Sequence, residues 1–185
     1  MRRWSTSFAL LASIVAVMAG VVTASAEDAE HKFIGVKKCG MCHKSEAKGN
    51  QLGQWEASPH AKAFEVLASE AALKIGKEKG LEAPPQESAA CLKCHVTGHG
   101  AKAELFEASF EAAQGVQCES CHGPGGDYKS LKIMKDRELS VAAGLIIPTA
   151  ETCKQCHNEE SPNFKGFDFK KMWAKVAHPN PQNKK

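Results

Sequence analysis

The residues that usually anchor a protein core are scarce here: this chain of 185 residues has one tyrosine and three tryptophans. Past residue 26 only Trp55, Trp173 and Tyr128 remain, so tryptophan and tyrosine can supply little of a core. No cysteine stands outside four short clusters, which leaves no thiol for a disulfide, a nucleophile or a separate metal site. Neither sign of charge dominates: 24 lysines and arginines face 21 acids, a formal +3. The lysines are scattered, and the terminal Lys184-Lys185 reads as a solvated tail, so nothing favours nucleic acid as a partner. Beyond Val22 no segment is long and apolar enough to cross a membrane. Strong strand signals are missing too, and the unequal spacing of the cysteine clusters excludes a solenoid repeat.

What is present is one pentapeptide four times: Cys39-Gly-Met-Cys42-His43, Cys91-Leu-Lys-Cys94-His95, Cys118-Glu-Ser-Cys121-His122 and Cys153-Lys-Gln-Cys156-His157. C-x-x-C-H is the attachment signature of c-type haem. The thiols add to the two vinyl groups, and the imidazole binds the iron. On a helical turn, positions i, i+3 and i+4 share a face, so both sulfurs and the ring reach one porphyrin. A disulfide scaffold has no reason to place a histidine after every second cysteine. Paired zinc ribbons would make all four histidines coincidental. Thioredoxin-like chemistry needs one C-x-x-C after a strand.

Met1-Arg2-Arg3, the apolar run Phe8 to Val22 and Ala24-Ser25-Ala26 have the form of a signal peptide over residues 1–26, cleaved before Glu27. This implies export to a bacterial periplasm, with no membrane-embedded segment after cleavage. Residues 27–185 then form a single domain of 159 residues. Loss of Arg2 and Arg3 takes the formal charge from +3 to +1. Each ferric bis-histidine haem contributes roughly −1 once its propionates ionise, so the loaded protein is expected to be acidic. Four haems in this length would supply most of the core, and the haem-free chain is expected to fold poorly.

The fold reads as mainly α with long loops, a compact multihaem cytochrome c fold wrapped around four covalent haems. Ser58-Pro59-His60 looks like a helix start. Phe64, Leu67, Ala71 and Ile75 continue at helical spacing, and Gly80 ends the helix. Phe106, Phe110 and Ala113 permit another helix. Gly123-Pro124-Gly125-Gly126 stops the third motif's helix, either against a haem edge or as a surface turn. Thr149 fits the N-cap of a helix carrying the fourth motif. Asp168 fits the N-cap of a last helix, stapled by Phe167 and Met172, with His178 in its final turn.

Of eight histidines, four follow the motifs as proximal iron ligands. His31, His60, His99 and His178 remain, as many as four bis-histidine haems need. His60 and His178 sit at helix ends able to present an imidazole. His99 lies four residues after His95, too near its own motif to reach that haem's opposite face, but able to serve a neighbour. His31 lies near the N-terminus of the cleaved chain. Met134 is a possible ligand, with packing the plainer role. If His31 is not a ligand, at least one haem is open.

Lys37-Lys38-Cys39 to Lys44, Ser58-Pro59-His60-Ala61-Lys62-Ala63, Cys91 to Gly98, and Gly115-Val116-Gln117-Cys118 to Gly125 resemble the tetrahaem cytochrome c-554 family. The resemblance implies periplasmic electron carriage through closely packed haems. It implies that His60 faces His157 on the fourth haem, that His178 faces His122 on the third, and that the His95 haem is five-coordinate. In the family's reference member the first haem's distal histidine follows the third motif; Asp127-Tyr128-Lys129 offers none. His99 is then the natural substitute, His31 the second. The expected function is electron transfer between redox protein partners, other cytochromes or a quinol-linked oxidoreductase, rather than catalysis. The alternatives are a small reductase binding nitric oxide or nitrite at one open haem, and a haem-wire subunit of a larger complex.

Overall fold

In the computed structural model, Met1 and residues 30–183 are described; the leader assigned to residues 1–26 otherwise lies outside them. Short helices carry the chain: α1 (Val36–His43), α2 (Gln51–Glu56), α3 (Glu70–Glu78), α4 (Ala89–His95), α5 (Cys118–His122), α6 (Leu131–Met134), α7 (Arg137–Ala142), α8 (Ala150–Lys154) and α9 (Phe169–Val176). Long loops and single 3-10 turns join them, and the architecture is mainly helical. Even α3 has only nine residues. Isolated helices shorter than about 12–15 residues are marginal in water, so tertiary contacts must hold these.

Local caps set several boundaries. Ser69 Oγ accepts from Ala72 N to open α3, and Asp168 Oδ1 accepts from Lys171 N to open α9, as its sequence implies. Thr149 precedes α8, with its N–H on Thr152 Oγ1. α1 has no side-chain cap of its own. Its first donors are satisfied from far along the chain. Glu119 accepts from Ile34 N, Gly35 N and Gly125 N at 2.9, 2.9 and 2.7 Å. Gln117 Oε1 accepts from Val36 N at 2.9 Å. Gln117 N in turn donates to Thr97 Oγ1, whose hydroxyl meets Ser120 Oγ. The fully buried side chains Thr97, Gln117 and Ser140 are polar, and Glu119 is only 3 % exposed. The buried hydrophobic residues described are few: Ile34, Val36, Ala63, Leu67 and Tyr128.

Two sequence expectations give way. The continuous helix expected from Ser58 to Gly80 is instead 3-10 turns at Pro59–Lys62 and Glu65–Ala68, followed by α3. The cause is competition for carbonyls. His60 O accepts from Val116 N, Ala63 O meets His95 Nδ1, and Phe64 O accepts from Gln86 Nε2. Those oxygens are thereby engaged outside a regular i→i+4 ladder. Residues 101–114 form no α-helix either, only 3-10 turns at Ala103–Leu105 and Ala112–Gln114. Phe106 is extended and bridges Phe33, with Phe33 N on Leu105 O and Glu107 N on Phe33 O, both 2.8 Å. Phe33, Phe106 and Phe110 cluster, with the first two rings stacked at 5.1 Å.

Glu119→Ala would strand three donors and is expected to cost the haem-loaded protein about 3 kcal/mol or more. A denaturant midpoint changed by less than about 1 kcal/mol would contradict this. With so few buried apolar side chains, the haem-free chain is expected to show no cooperative melt; a sharp transition with dispersed amide resonances refutes that.

Candidate haem centres

Each motif rides a helical turn. α1 and α4 end on His43 and His95, and α5 is the third motif itself. α8 stops at Lys154, but the turn continues, with Cys156 N and His157 N both on Cys153 O. None of the eight cysteines is paired in a disulfide. Their contacts pair the motifs. Cys39 Sγ lies 3.7 Å from Gly35 O, and the neighbouring Cys118, then burial, raises the Cys39 thiol. Burial, then the neighbouring Cys153, pushes Cys121 up to about 11. Burial and the neighbouring Cys94 push Cys156 up to about 12. Lys93, inside the second motif, is ion-paired with Glu160, just past the fourth.

The structure brings two motif histidines against two non-motif ones. His60 and His157 have ring centroids 6.0 Å apart, at 74° between planes. His122 and His178 stand 6.1 Å apart, at 69°. A metal–imidazole bond is about 2 Å, and the ring centroid lies roughly 1 Å behind the nitrogen. Two imidazoles sharing one metal ion therefore have centroids about 6 Å apart. Both pairs fit that separation. Burial, then the charge of His157, holds His60 below its ordinary value. His122 is also lowered by burial, against the opposing pull of the Ile146 carbonyl, with His178 and His43 adding to the lowering. Both rings are thus kept in the neutral form that binds iron.

Nδ1 contacts orient several rings. His95 Nδ1 lies 2.5 Å from Ala63 O, His122 Nδ1 3.3 Å from Ile146 O, and His178 Nδ1 2.7 Å from Val176 O. Each contact leaves Nε2 for a metal. His178 departs from expectation: α9 ends at Val176 and Ala177 is extended, so His178 lies past the helix on its exit strand, ahead of Pro179. Gln51 Nε2 reaches its carbonyl at 3.4 Å, tying the C-terminal segment back behind the first motif. Among the described residues, His43 and His95 have no second imidazole at the separation of the two pairs. His99 is exposed, and His31 is half-buried with Nδ1 2.6 Å from Asp127 Oδ2. Met134 ends α6 and is half-buried.

Sequence reasoning missed the residues that position the motifs: Glu119, Gln117, Thr97 and Asp127. Glu119 is a spacer of a C-x-x-C-H motif, where any residue is tolerated by the signature, so no pattern marks it. The Gly123–Gly126 turn is no plain surface feature. Gly123 and Gly125 are buried, and Tyr128 OH donates to Gly123 O at 2.7 Å.

Four C-x-x-C-H turns, on a mainly helical frame with a thin apolar core, define a multihaem c-type cytochrome. The family described as cytochrome c554 and c-prime matches residues 38–123, which hold the first three motifs. A curated cytochrome c-554 of Nitrosomonas europaea is 35% identical over 155 residues, covering 75% of this chain; the chain spans 63% of that relative's length. The reduced-state structure of cytochrome c554 from Nitrosomonas europaea aligns over 81% of this chain and 85% of its own, with a TM-score of 0.57 and 26% identity. Over these spans the chain is similar to the cytochrome c554 family.

Gly115 offers a test of the His60 mount. It has φ +71, and a Cβ there would stand 3.0 Å from His60 O and 3.2 Å from Ala63 N and Phe64 N. Gly115→Ala is expected to cost about 1–3 kcal/mol and, if His60 and His157 share an iron, to weaken that iron's low-spin signal. An unaltered spectrum and melting point would contradict that placement.

Proposed function

We propose that this chain is an exported, periplasmic electron carrier that holds four c-type haems. The attachment residues are Cys39 with Cys42, Cys91 with Cys94, Cys118 with Cys121, and Cys153 with Cys156; His43, His95, His122 and His157 are the proximal ligands. The observation that carries the reading is the pair of imidazole couples, His60 with His157 and His122 with His178, at the separation of two ligands on one metal. Bound haem iron supplies reversible one-electron chemistry.

The chain's own part is to hold, order and seal. His60 and His178 close the second face of two sites, leaving no position for a substrate. The cysteine contacts set a sequence: Cys39 meets Cys118, Cys121 neighbours Cys153, and Cys156 meets Cys94. The motifs therefore follow one another in space as first, third, fourth, second. The first and second attachment turns form the ends of that order, where donor and acceptor proteins would exchange electrons. Among the described residues no helix is long and apolar enough to cross a membrane, and the leader-like N-terminus supports export.

A second reading attaches to His95 alone. Its ring has no facing imidazole at the pair distance, and His99 beside it is exposed. That arrangement favours a site open to a small ligand such as nitric oxide. The test is a pyridine haemochrome count with low-temperature EPR and a redox titration. Four haems, reversibly reduced and oxidised by partner cytochromes, are expected. His60→Ala should convert one low-spin haem to high-spin and create one carbon-monoxide-binding site. A haem count other than four, or haems inert to every partner, overturns the carrier reading.

A further inference from the structure

We infer that His31 is the distal ligand of the haem attached at Cys39 and Cys42, and that Asp127 is its positioning residue. This rests on the tetrahaem reading above and deepens it at the site where no facing imidazole is in place.

His31 has a built mount. Its Nδ1 is 2.6 Å from Asp127 Oδ2, and its side chain is 25 % exposed against 60 % for the carboxylate. Metal-bound histidines commonly donate their second ring N–H to such a carboxylate, which fixes the tautomer and leaves Nε2 for the metal. Gly144, at φ +97, provides the floor. A Cβ there would lie 2.7 Å from His31 Cδ2, 2.8 Å from Nε2 and 3.1 Å from Cγ. Near-equal distances to three ring atoms put the glycine over the face of the imidazole, so the in-plane lone pair of Nε2 is not covered by it. The backbone clasps the same segment: Gly126 N donates to Lys32 O at 2.9 Å.

The mount lies on the side of the first motif. Tyr128, next to Asp127, bonds Gly123 O, and Ile34 N and Gly35 N, on the segment that runs from His31 into the first motif's helix, donate to Glu119. Gly144 O would be 2.7 Å from a Cβ on Gly123, the residue after His122. His95 is anchored elsewhere, on Ala63 O. His99, the other candidate, is exposed and has no comparable partner among the hydrogen bonds described.

The experiment uses the haem-loaded protein. His31→Ala should keep four haems by pyridine haemochrome and turn one low-spin ferric signal high-spin, with added imidazole restoring it. Asp127→Asn should keep that haem low-spin but raise its midpoint potential, because a neutral amide no longer makes the imidazole more basic. In crystals of the oxidised wild-type protein, Nε2 of His31 should be bonded to the iron on Cys39 and Cys42. That last readout decides the matter even if His31→Ala fails to mature. An unchanged low-spin count, or a different residue such as Met134 on that iron, overturns the inference while leaving the four-haem reading intact. An unmoved potential in Asp127→Asn removes the positioning role. A haem count other than four fails the underlying reading instead.

Discussion

The carboxylate of Glu119 is the fixed point on which the arrangement of the attachment turns depends. It lies inside the third motif and takes three backbone donors, two of them from the segment that leads into α1. A helix start leaves its first N–H groups without partners and favours negative charge. Here the third motif supplies both the acceptors and the charge. Gln117, one residue before Cys118, completes the junction by accepting from Val36 N. The first and third motifs are thus locked together by peptide hydrogen bonds. The contact of Cys39 with Cys118 follows from that lock.

The lock matters because little else is available to hold the chain. Ordering a residue's backbone costs about 1–2 kcal/mol, and burying a large apolar side chain returns only about 1.5–3 kcal/mol. Among the described residues, five buried hydrophobic ones cannot offset the ordering of more than a hundred others. The buried polar set of Thr97, Gln117, Glu119 and Ser120 contributes direction more than net energy, since buried hydrogen bonds gain little overall but are costly to leave unmade. The rest must come from groups the cysteines carry covalently, which tether a large apolar surface to each short helix. A frame of this kind specifies where the motifs sit and leaves cohesion to the cofactor.

The chemistry was legible because it resides in composition: eight cysteines, all in C-x-x-C-H, admit one economical explanation. His60 and His178 were legible for a weaker reason, their place beside helix-like patterns, and the elements carrying them differ from the pattern. Apolar spacing at Phe64, Leu67, Ala71 and Ile75 fits an α-helix and a string of 3-10 turns nearly equally, because adjacent turns differ only in which carbonyls are engaged. The engaging partners, Val116, His95 and Gln86, lie far along the chain. Glu119, Gln117 and Asp127 were not legible at all. Their roles are set by tertiary donors and by a distant ring, and no local period marks them. His31 read as a terminal residue, whereas its ring is pinned to a loop 96 residues away in sequence.

The distribution of imidazole couples along the proposed order has a consequence for how such a carrier divides its work. On the order first, third, fourth, second, the couples His122–His178 and His60–His157 occupy the two interior positions. Interior sites closed on both faces admit electrons and nothing else. Variation in the second ligand is confined to the two ends, where it alters potential or access without breaking the path between them. The interior couples also draw their non-motif histidines from far off: residue 178 reaches a motif at 122, and residue 60 reaches one at 157. Bringing His178 to His122 requires the C-terminal segment to return behind the first motif, where Pro179 O would stand 2.7 Å from a Cβ on Gly49 and His178 O accepts from Gln51. On the proposed reading, ligation of that interior iron would be coupled to completion of the fold. The end sites take their proximal imidazoles from the local turns of α1 and α4 and are assembled with less of the chain in place.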